Sequence, residues 1–194
     1  MPNRTESSPL VQPATADLVI GFVNTRANTA GYRERLGDAD GLRAWMDRGG
    51  LNDPTAHVTD ADSATARELR DALLSLLLVH SGDLDPDAER LRDAERHLGD
   101  LAERYPLVSV VGAGGVALRP AQGGVPGVFG SLLAALTELA QTGAWQRIKA
   151  CRDLTCHLAF FDRTRNGSAV YCSPNCGSRS SMRAYRQRKS RPIA

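Results

Sequence analysis

The residues best suited to chemistry are four cysteines, the chain's whole cysteine complement, confined to positions 151–176 of 194 residues. Cys151 and Cys156 form one pair, Cys172 and Cys176 a second, and fifteen residues separate the pairs. Two short-spaced pairs brought together by a turn make a tetrahedral thiolate cage. Such a cage suits one Zn2+, with Zn–S bonds of about 2.3 Å. Two disulfides are the alternative use of four cysteines. Against them stand the long cysteine-free stretch before the cluster and a start, Met1-Pro2-Asn3-Arg4-Thr5-Glu6-Ser7-Ser8, without the apolar core of a secretion signal. A redox dithiol is a weaker reading still, because a four-residue gap is not the Cys-x-x-Cys of oxidoreductases. Four thiolates leave no open position for water, so the zinc is expected to be structural and the chain not an enzyme. Nothing else suggests catalysis. His57, His80 and His97 are isolated, and His157 adjoins Cys156 but is not needed as a ligand. No Ser-His-Asp grouping, phosphate-binding loop or His-Glu-x-x-His pattern occurs, and the glycines at 112–115 read as a turn.

The cage must be positioned by local structure. Leu158-Ala159-Phe160-Phe161 and Ala169-Val170-Tyr171 read as two short strands around the hairpin signal Asn166-Gly167. Ser173 is a good N-cap and Pro174 is tolerated at a first helical position, so a helix is predicted from Pro174 to about Arg188. Cys172 then ends the second strand and Cys176 falls in the first helical turn, where the helix dipole favours a thiolate. Hairpin and helix around one metal make a treble-clef-like finger. Met182 and Tyr185 are expected to pack on Phe160, Phe161 or Tyr171.

Charge divides the chain at the same place. Residues 145–194 carry eleven Lys or Arg and two acids, a balance of +9, whereas residues 1–144 carry −7 within a whole of +2. A basic tail on an acidic body points to a polyanionic partner, most often nucleic acid. Arg179, Arg183 and Arg186 have four- and three-residue spacing and so share a helical face. Arg188, Lys189, Arg163 and Arg165 add to the basic surface. Arginine dominates, which suits bidentate contacts to phosphate and guanine. The bland alternative is a solvated basic face, with some arginines neutralising the thiolates or Asp153 and Asp162.

The rest reads as mainly α. Residues 1–12 are expected to be disordered, residues 13–144 to form a helical domain with one small β-hairpin, and residues 145–194 to form the finger with its basic helix. Helices are predicted over Ala14–Asn28, Asp40–Arg48, Asp62–His80, from Pro86 onward and over Val128–Gln141. Leu107–Val111 and Val116–Leu118 form the hairpin. Residues 1–144, which hold most of the apolar helices and none of the cysteines, are expected to fold alone. No apolar run is long enough to span a bilayer, so no membrane association and a cytoplasmic location are expected.

The finger resembles the CGNR zinc finger family. That family's Cys-Gly-Asn-Arg motif reads here Cys176-Gly177-Ser178-Arg179, with serine in place of asparagine. Phe160-Phe161-Asp162-Arg163-Thr164-Arg165-Asn166 and Met182-Arg183-Ala184-Tyr185-Arg186-Gln187-Arg188 are similar to its other blocks. The N-terminal part resembles the ABATE domain that usually precedes this finger, through Leu18–Thr25, Leu42–Trp45 and Glu68–Leu73. The resemblance implies a stress-responsive bacterial transcription regulator. Its finger would hold one zinc and bind duplex DNA, and its helical domain would sense a small-molecule effector or form a homodimer. It also suggests a ligand pocket near Asn24, Trp45 and Arg70. The alternative is a module without DNA, in which the finger is a structural or protein-docking element and the helical domain binds a small ligand or partner.

Overall fold

A computed structural model describes residues 11–29, 31–51, 53, 56–83, 85 and 88–189. The expected disorder of residues 1–12 and the expected helix start at Pro86 fall largely or wholly outside these residues. Six α-helices and two small antiparallel hairpins occur among them: α1 Ala14–Val23, α2 Ala39–Arg48, α3 Asp60–His80, α4 Glu89–Arg104, β1 Leu107–Gly112, β2 Gly115–Pro120, α5 Gly124–Gln141, β3 Ile148–Ala150, β4 Ala159–Phe161 and α6 Pro174–Lys189. The fold is mainly α, as its periodicity suggests. Among the described residues no helix is long and apolar enough to cross a membrane.

The element ends follow local chemistry. Asp38 caps α2 by accepting from the Gly41 N–H at 2.8 Å. Thr59 and Asp62 form a reciprocal capping box at the start of α3. α1 stops before the expected Asn28, because the Thr25 hydroxyl and N–H both bond Phe22 O and Arg35 N–H bonds Thr25 O. The chain is thereby turned away from the helix axis. In the first hairpin β2 lies against α5, where Pro120 crosses Gly130 so closely that any Cβ at Gly130 would come within 2.9 Å.

The core forms around α3, whose Leu69, Leu73 and Leu77 recur every four residues and are buried. Ala16, Val19, Phe22 and Val23 of α1 pack with them, as do Leu42 and Met46 of α2 and Val128, Phe129, Leu132 and Leu139 of α5. This cluster does not end at residue 144. Ile148, Ala150, Ala159 and Phe161, all from β3 and β4, belong to it as fully as any helical residue.

The second sheet departs from the expected hairpin. β4 pairs with upstream β3, with Ile148 opposite Phe161, Lys149 opposite Phe160 and Ala150 opposite Ala159. Residues 169–171 form no strand. The Asn166-Gly167 turn does form, with Gly167 at φ +60 and its N–H on Thr164 O at 3.2 Å. It leads into a loop whose backbone is claimed by side chains. Asp162 accepts from Ala169 N–H at 2.9 Å, while the Lys149 ammonium donates to the Gly167 and Ala169 carbonyls. These bonds replace the ladder that the sequence suggested.

Three-residue strands cannot stand alone. Both edges of this sheet are closed by the helical part. Asn24, at the C-terminus of α1, donates to Ala159 O at 3.0 Å and accepts from Ala159 N–H at 2.7 Å, standing in for a neighbouring strand on β4. On the other edge the His80 ring, at the end of α3, bonds Ile148 O through Nδ1 at 2.7 Å. Burial, and to a lesser degree the nearby Lys149 charge, hold His80 below its ordinary pKa, although the Ile148 carbonyl partly opposes this. The neutral ring is therefore the docked form.

Asn24→Ala leaves the Ala159 N–H and C=O without partners and is expected to cost about 1–3 kcal/mol. A thermal melt of the zinc-loaded chain reads this directly. A change under about 0.5 kcal/mol would mean that the amide does not hold the sheet.

Candidate metal centre

The four sulfurs converge as their spacing predicts. The Sγ atoms of Cys151, Cys156, Cys172 and Cys176 all lie within 4.8 Å of one another. Cys172 Sγ is 3.6 Å from both Cys156 Sγ and Cys176 Sγ. A disulfide needs about 2.05 Å, and all four cysteines are free. A tetrahedron built on Zn–S bonds of about 2.3 Å separates its sulfurs by about 3.8 Å, close to these values.

The electrostatics ask for a cation. Burial pushes the Cys156 thiol up to about 11, and burial followed by the neighbouring Cys151 pushes Cys172 higher still. Cys176 moves the other way: burial opposes its ionisation, but bonding from Ser173 and the other thiols prevails. A divalent ion supplies the charge that lets all four deprotonate together. Donor type, number and spacing thus fit one structural zinc.

Each pair is held by a recognisable turn. Between Cys151 and Cys156 the chain folds over buried Asp153, whose carboxylate accepts from the Thr155 N–H at 3.2 Å and hydroxyl at 2.9 Å. Cys156 N–H closes on Asp153 O at 2.7 Å. His157, next in the chain, takes a left-handed φ of 50 to leave this knuckle, and its ring faces Asp83 at 3.9 Å rather than joining the sulfurs. The loop after α1 grips the knuckle through Asn28, which donates to Cys156 O, and Thr29, which donates to Thr155 O, both at 3.0 Å. The second pair sits where α6 begins. Ser173 accepts from Cys176 N–H at its carbonyl, 3.1 Å, and Cys176 is the one buried residue of α6.

Asp162 repeats the device of Asp153. Its carboxylate accepts from the Thr164 N–H and hydroxyl at 2.9 and 2.6 Å and pairs with Lys149 at 2.8 Å. The Arg147 guanidinium fastens the same turn through the carbonyls of Asp162, Thr164 and Arg165. Both acids are completely buried. Burial opposes their ionisation, but hydrogen bonds led by Arg179 hold Asp153 at about 2, and those led by Lys149 hold Asp162 below its ordinary value. The Asp-x-Thr repeat at 153–155 and 162–164 was a readable signal for these turns that the cysteine pattern overshadowed.

The predicted basic residues divide into two groups. Arg179 reaches back to the metal site while staying 49% exposed, donating from Nε to Asp153 at 2.8 Å and from Nη2 to Cys176 Sγ at 3.0 Å. Arg183 follows it, reaching Asp153 at 3.4 Å. Arg165, Arg186, Arg188 and Lys189 are exposed, as is Arg163, which donates to Gln12 at 3.2 Å. Met182 and Tyr185, expected to pack on the finger, are instead 52% and 55% exposed. The inward side of α6 is taken by Cys176, by Arg183 and by Ser180, which accepts from the Tyr171 hydroxyl at 2.9 Å. Ser178, Met182, Tyr185 and Lys189 lie on the opposite side at four- and three-residue spacing.

Asn24, Trp45 and Arg70 are each engaged structurally. Asn24 is spent on Ala159, and Trp45 is buried with its ring 5.0 Å from Phe22. Arg70 is buried against Glu34 at 2.6 Å and Asp71 at 3.2 Å. A groove of about 580 Å³ is lined elsewhere, by Leu18, Leu118, Ala134, Ala135 and Glu138 among others.

Cys176→Ser is expected to abolish stoichiometric zinc by elemental analysis. Arg179→Met, which removes the bond to Cys176 and uncovers Asp153, should weaken zinc by about 10–100-fold in competition with a chromophoric chelator. Arg186→Met should leave zinc affinity unchanged. Equal affinity in the Arg179 and Arg186 variants would contradict the supporting role of Arg179.

Comparison with known proteins agrees with this geometry. A family model described as "CGNR zinc finger" matches residues 147–189. The ABATE model, described as "Putative stress-induced transcription regulator", matches residues 16–144. A search of curated proteins finds no significant match. With the helical match covering well over half of its length and the finger following in order, the chain belongs to the ABATE family and carries a CGNR zinc finger.

Proposed function

We propose that this protein is a DNA-binding transcription regulator whose DNA contact is the outward side of α6 together with the turn at 163–165. The supporting observation is the division of the basic residues. Lys149, Arg147, Arg179 and Arg183 are consumed by Asp153, Asp162, Cys176 and turn carbonyls. Arg152 pairs with Asp83 at 3.5 Å, and the other cations among the described residues of the finger, Arg163, Arg165, Arg186, Arg188 and Lys189, all stand exposed. They form a surface rather than an internal network. Cations that need only a mobile counterion suit phosphates, because releasing counterions drives association.

The seven DNA contacts read from the sequence, Arg163, Arg165, Arg179, Arg183, Arg186, Arg188 and Lys189, divide accordingly. Arg163, Arg165, Arg186, Arg188 and Lys189 stay in the contact set. Arg179 and Arg183 become supports of the metal site. Ser178, Ser181, Met182 and Tyr185 occupy the same outward side and supply hydroxyls and apolar groups for base edges. Ser178, in place of the family's asparagine, offers a shorter reach to such an edge. No catalytic step is assigned, since four thiolates around one zinc leave no site for substrate or water. A second reading, a protein-docking finger, is favoured by the exposure of Met182 and Tyr185 on this same helix.

Titrating the zinc-loaded chain with duplex DNA at several salt concentrations separates the two. If about four phosphates are neutralised, log affinity falls against log salt with a slope near −3.6. Arg186→Ala and Arg188→Ala should each reduce that slope by about one, whatever the DNA sequence. No binding at low salt would overturn the DNA reading in favour of docking.

A further inference from the structure

We propose that β1 is a self-association edge through which two copies of this chain join their hairpins into one four-stranded sheet. The proposal is independent of DNA binding and rests on the first hairpin.

In this hairpin Leu107 pairs with Pro120, Ser109 with Leu118 and Val111 with Val116. The ladder continues outward as Ala121 N–H donates to Pro106 O at 2.9 Å. Because antiparallel pairs alternate, even-numbered residues of β1 direct their N–H and C=O toward β2. Leu107, Ser109 and Val111 direct theirs away, along an open edge. β2 rests on α5 through Pro120 at Gly130, so β1 is the outer strand.

The two edges are not equivalent. The far edge, on β2, is blunted by Arg119 and by Pro120, which has no N–H to offer. Residues 107–112, Leu-Val-Ser-Val-Val-Gly, contain no charge and no proline. Val108 and Val110 are about half exposed on the side away from α5, and Val111 and Val116 at the tip are 75% and 70% exposed. A strand with an open edge, β-branched exposed residues and no gatekeeper is a template for another strand.

The sequence favours a second copy as that strand. Antiparallel pairing of β1 about a two-fold axis at Ser109 sets Leu107 opposite Val111 of the other copy and Val108 opposite Val110. Every cross-strand pair except serine on serine is then apolar on apolar. The outward N–H and C=O groups of Leu107, Ser109 and Val111 meet their own counterparts, as an isologous contact requires. Five residues of strand make a small interface beside the roughly 1,200 Å² of a standard complex, so the dimer should be weak and concentration-dependent.

Sedimentation of the full zinc-loaded chain from about 1 to 200 μM tests this. Wild type should shift from monomer to dimer over that range. Ser109→Pro removes one outward N–H and none of the bonds to β2, and Val110→Lys places a charge opposite Val108 of the second copy. Each should weaken dimerisation by about tenfold or more while the thermal melt stays close to wild type. Val110→Lys carries the test alone if the proline variant is unfolded. A chain that stays monomeric across the range overturns the proposal. So does a dimer indifferent to the substitutions, which would use another surface.

Discussion

A sheet of two three-residue strands has too few ladder bonds and too little area to persist in water, and the finger is built on such a sheet. What makes it stable is the helical part of the chain. Ile148, Ala150, Ala159 and Phe161 are buried in the common core, and Asn24 and His80 close the two open edges. From this docked sheet the structure builds outward. The first cysteine pair lies in the knuckle between β3 and β4, gripped by Asn28 and Thr29. The second pair attaches α6 to the first. Since Cys176 is the buried residue of α6, the helix is fixed chiefly through the metal cage and the Asp153–Arg179 contact. Core, sheet, cage and helix form a chain of dependence, and the proposed functional surface is its last member.

Charge compensation determines what that surface can be. The finger buries two carboxylates and gathers four thiols, groups that cost several kcal/mol each when ionised without partners in a dry site. Three of its basic residues, Lys149, Arg179 and Arg183, answer that demand, while Arg147 is spent on turn carbonyls. The +9 balance of the C-terminal segment therefore overstates the charge available to a partner, and the exposed residues Arg163, Arg165, Arg186, Arg188 and Lys189 are the better measure. The arginine of the Cys-Gly-Ser-Arg motif is a member of the metal site: its guanidinium spans Asp153 of the first knuckle and Cys176 of the second, tying the halves together.

Much of this was legible in the sequence. Cysteine spacing gave the ligand set, Ser173-Pro174 gave the start of α6, and leucine periodicity gave α3. The partner of β4 was not legible. Asn166-Gly167 is a strong local hairpin signal, and only the buried Lys149 and Asp162, which capture the following backbone, reveal that the turn leads into a loop. The orientation of α6 was hidden for a related reason. Periodicity groups Arg179, Arg183 and Arg186 on one side, but it cannot say that Asp153, more than twenty residues earlier, pairs with the first two. Asn24 read as a polar residue in an apolar helix, which suits a ligand site as well as an edge clamp. Its β-strand partner lies 135 residues away.

Hydrogen exchange of the full chain, with zinc bound and after chelation, tests most directly the claim that the sheet belongs to the helical core and α6 to the metal. The account predicts that chelation strips protection from residues 174–189, while the amides of β3 and β4 keep most of theirs. Protection lost from β3 and β4 together with α6, or retained by α6 without zinc, would contradict it.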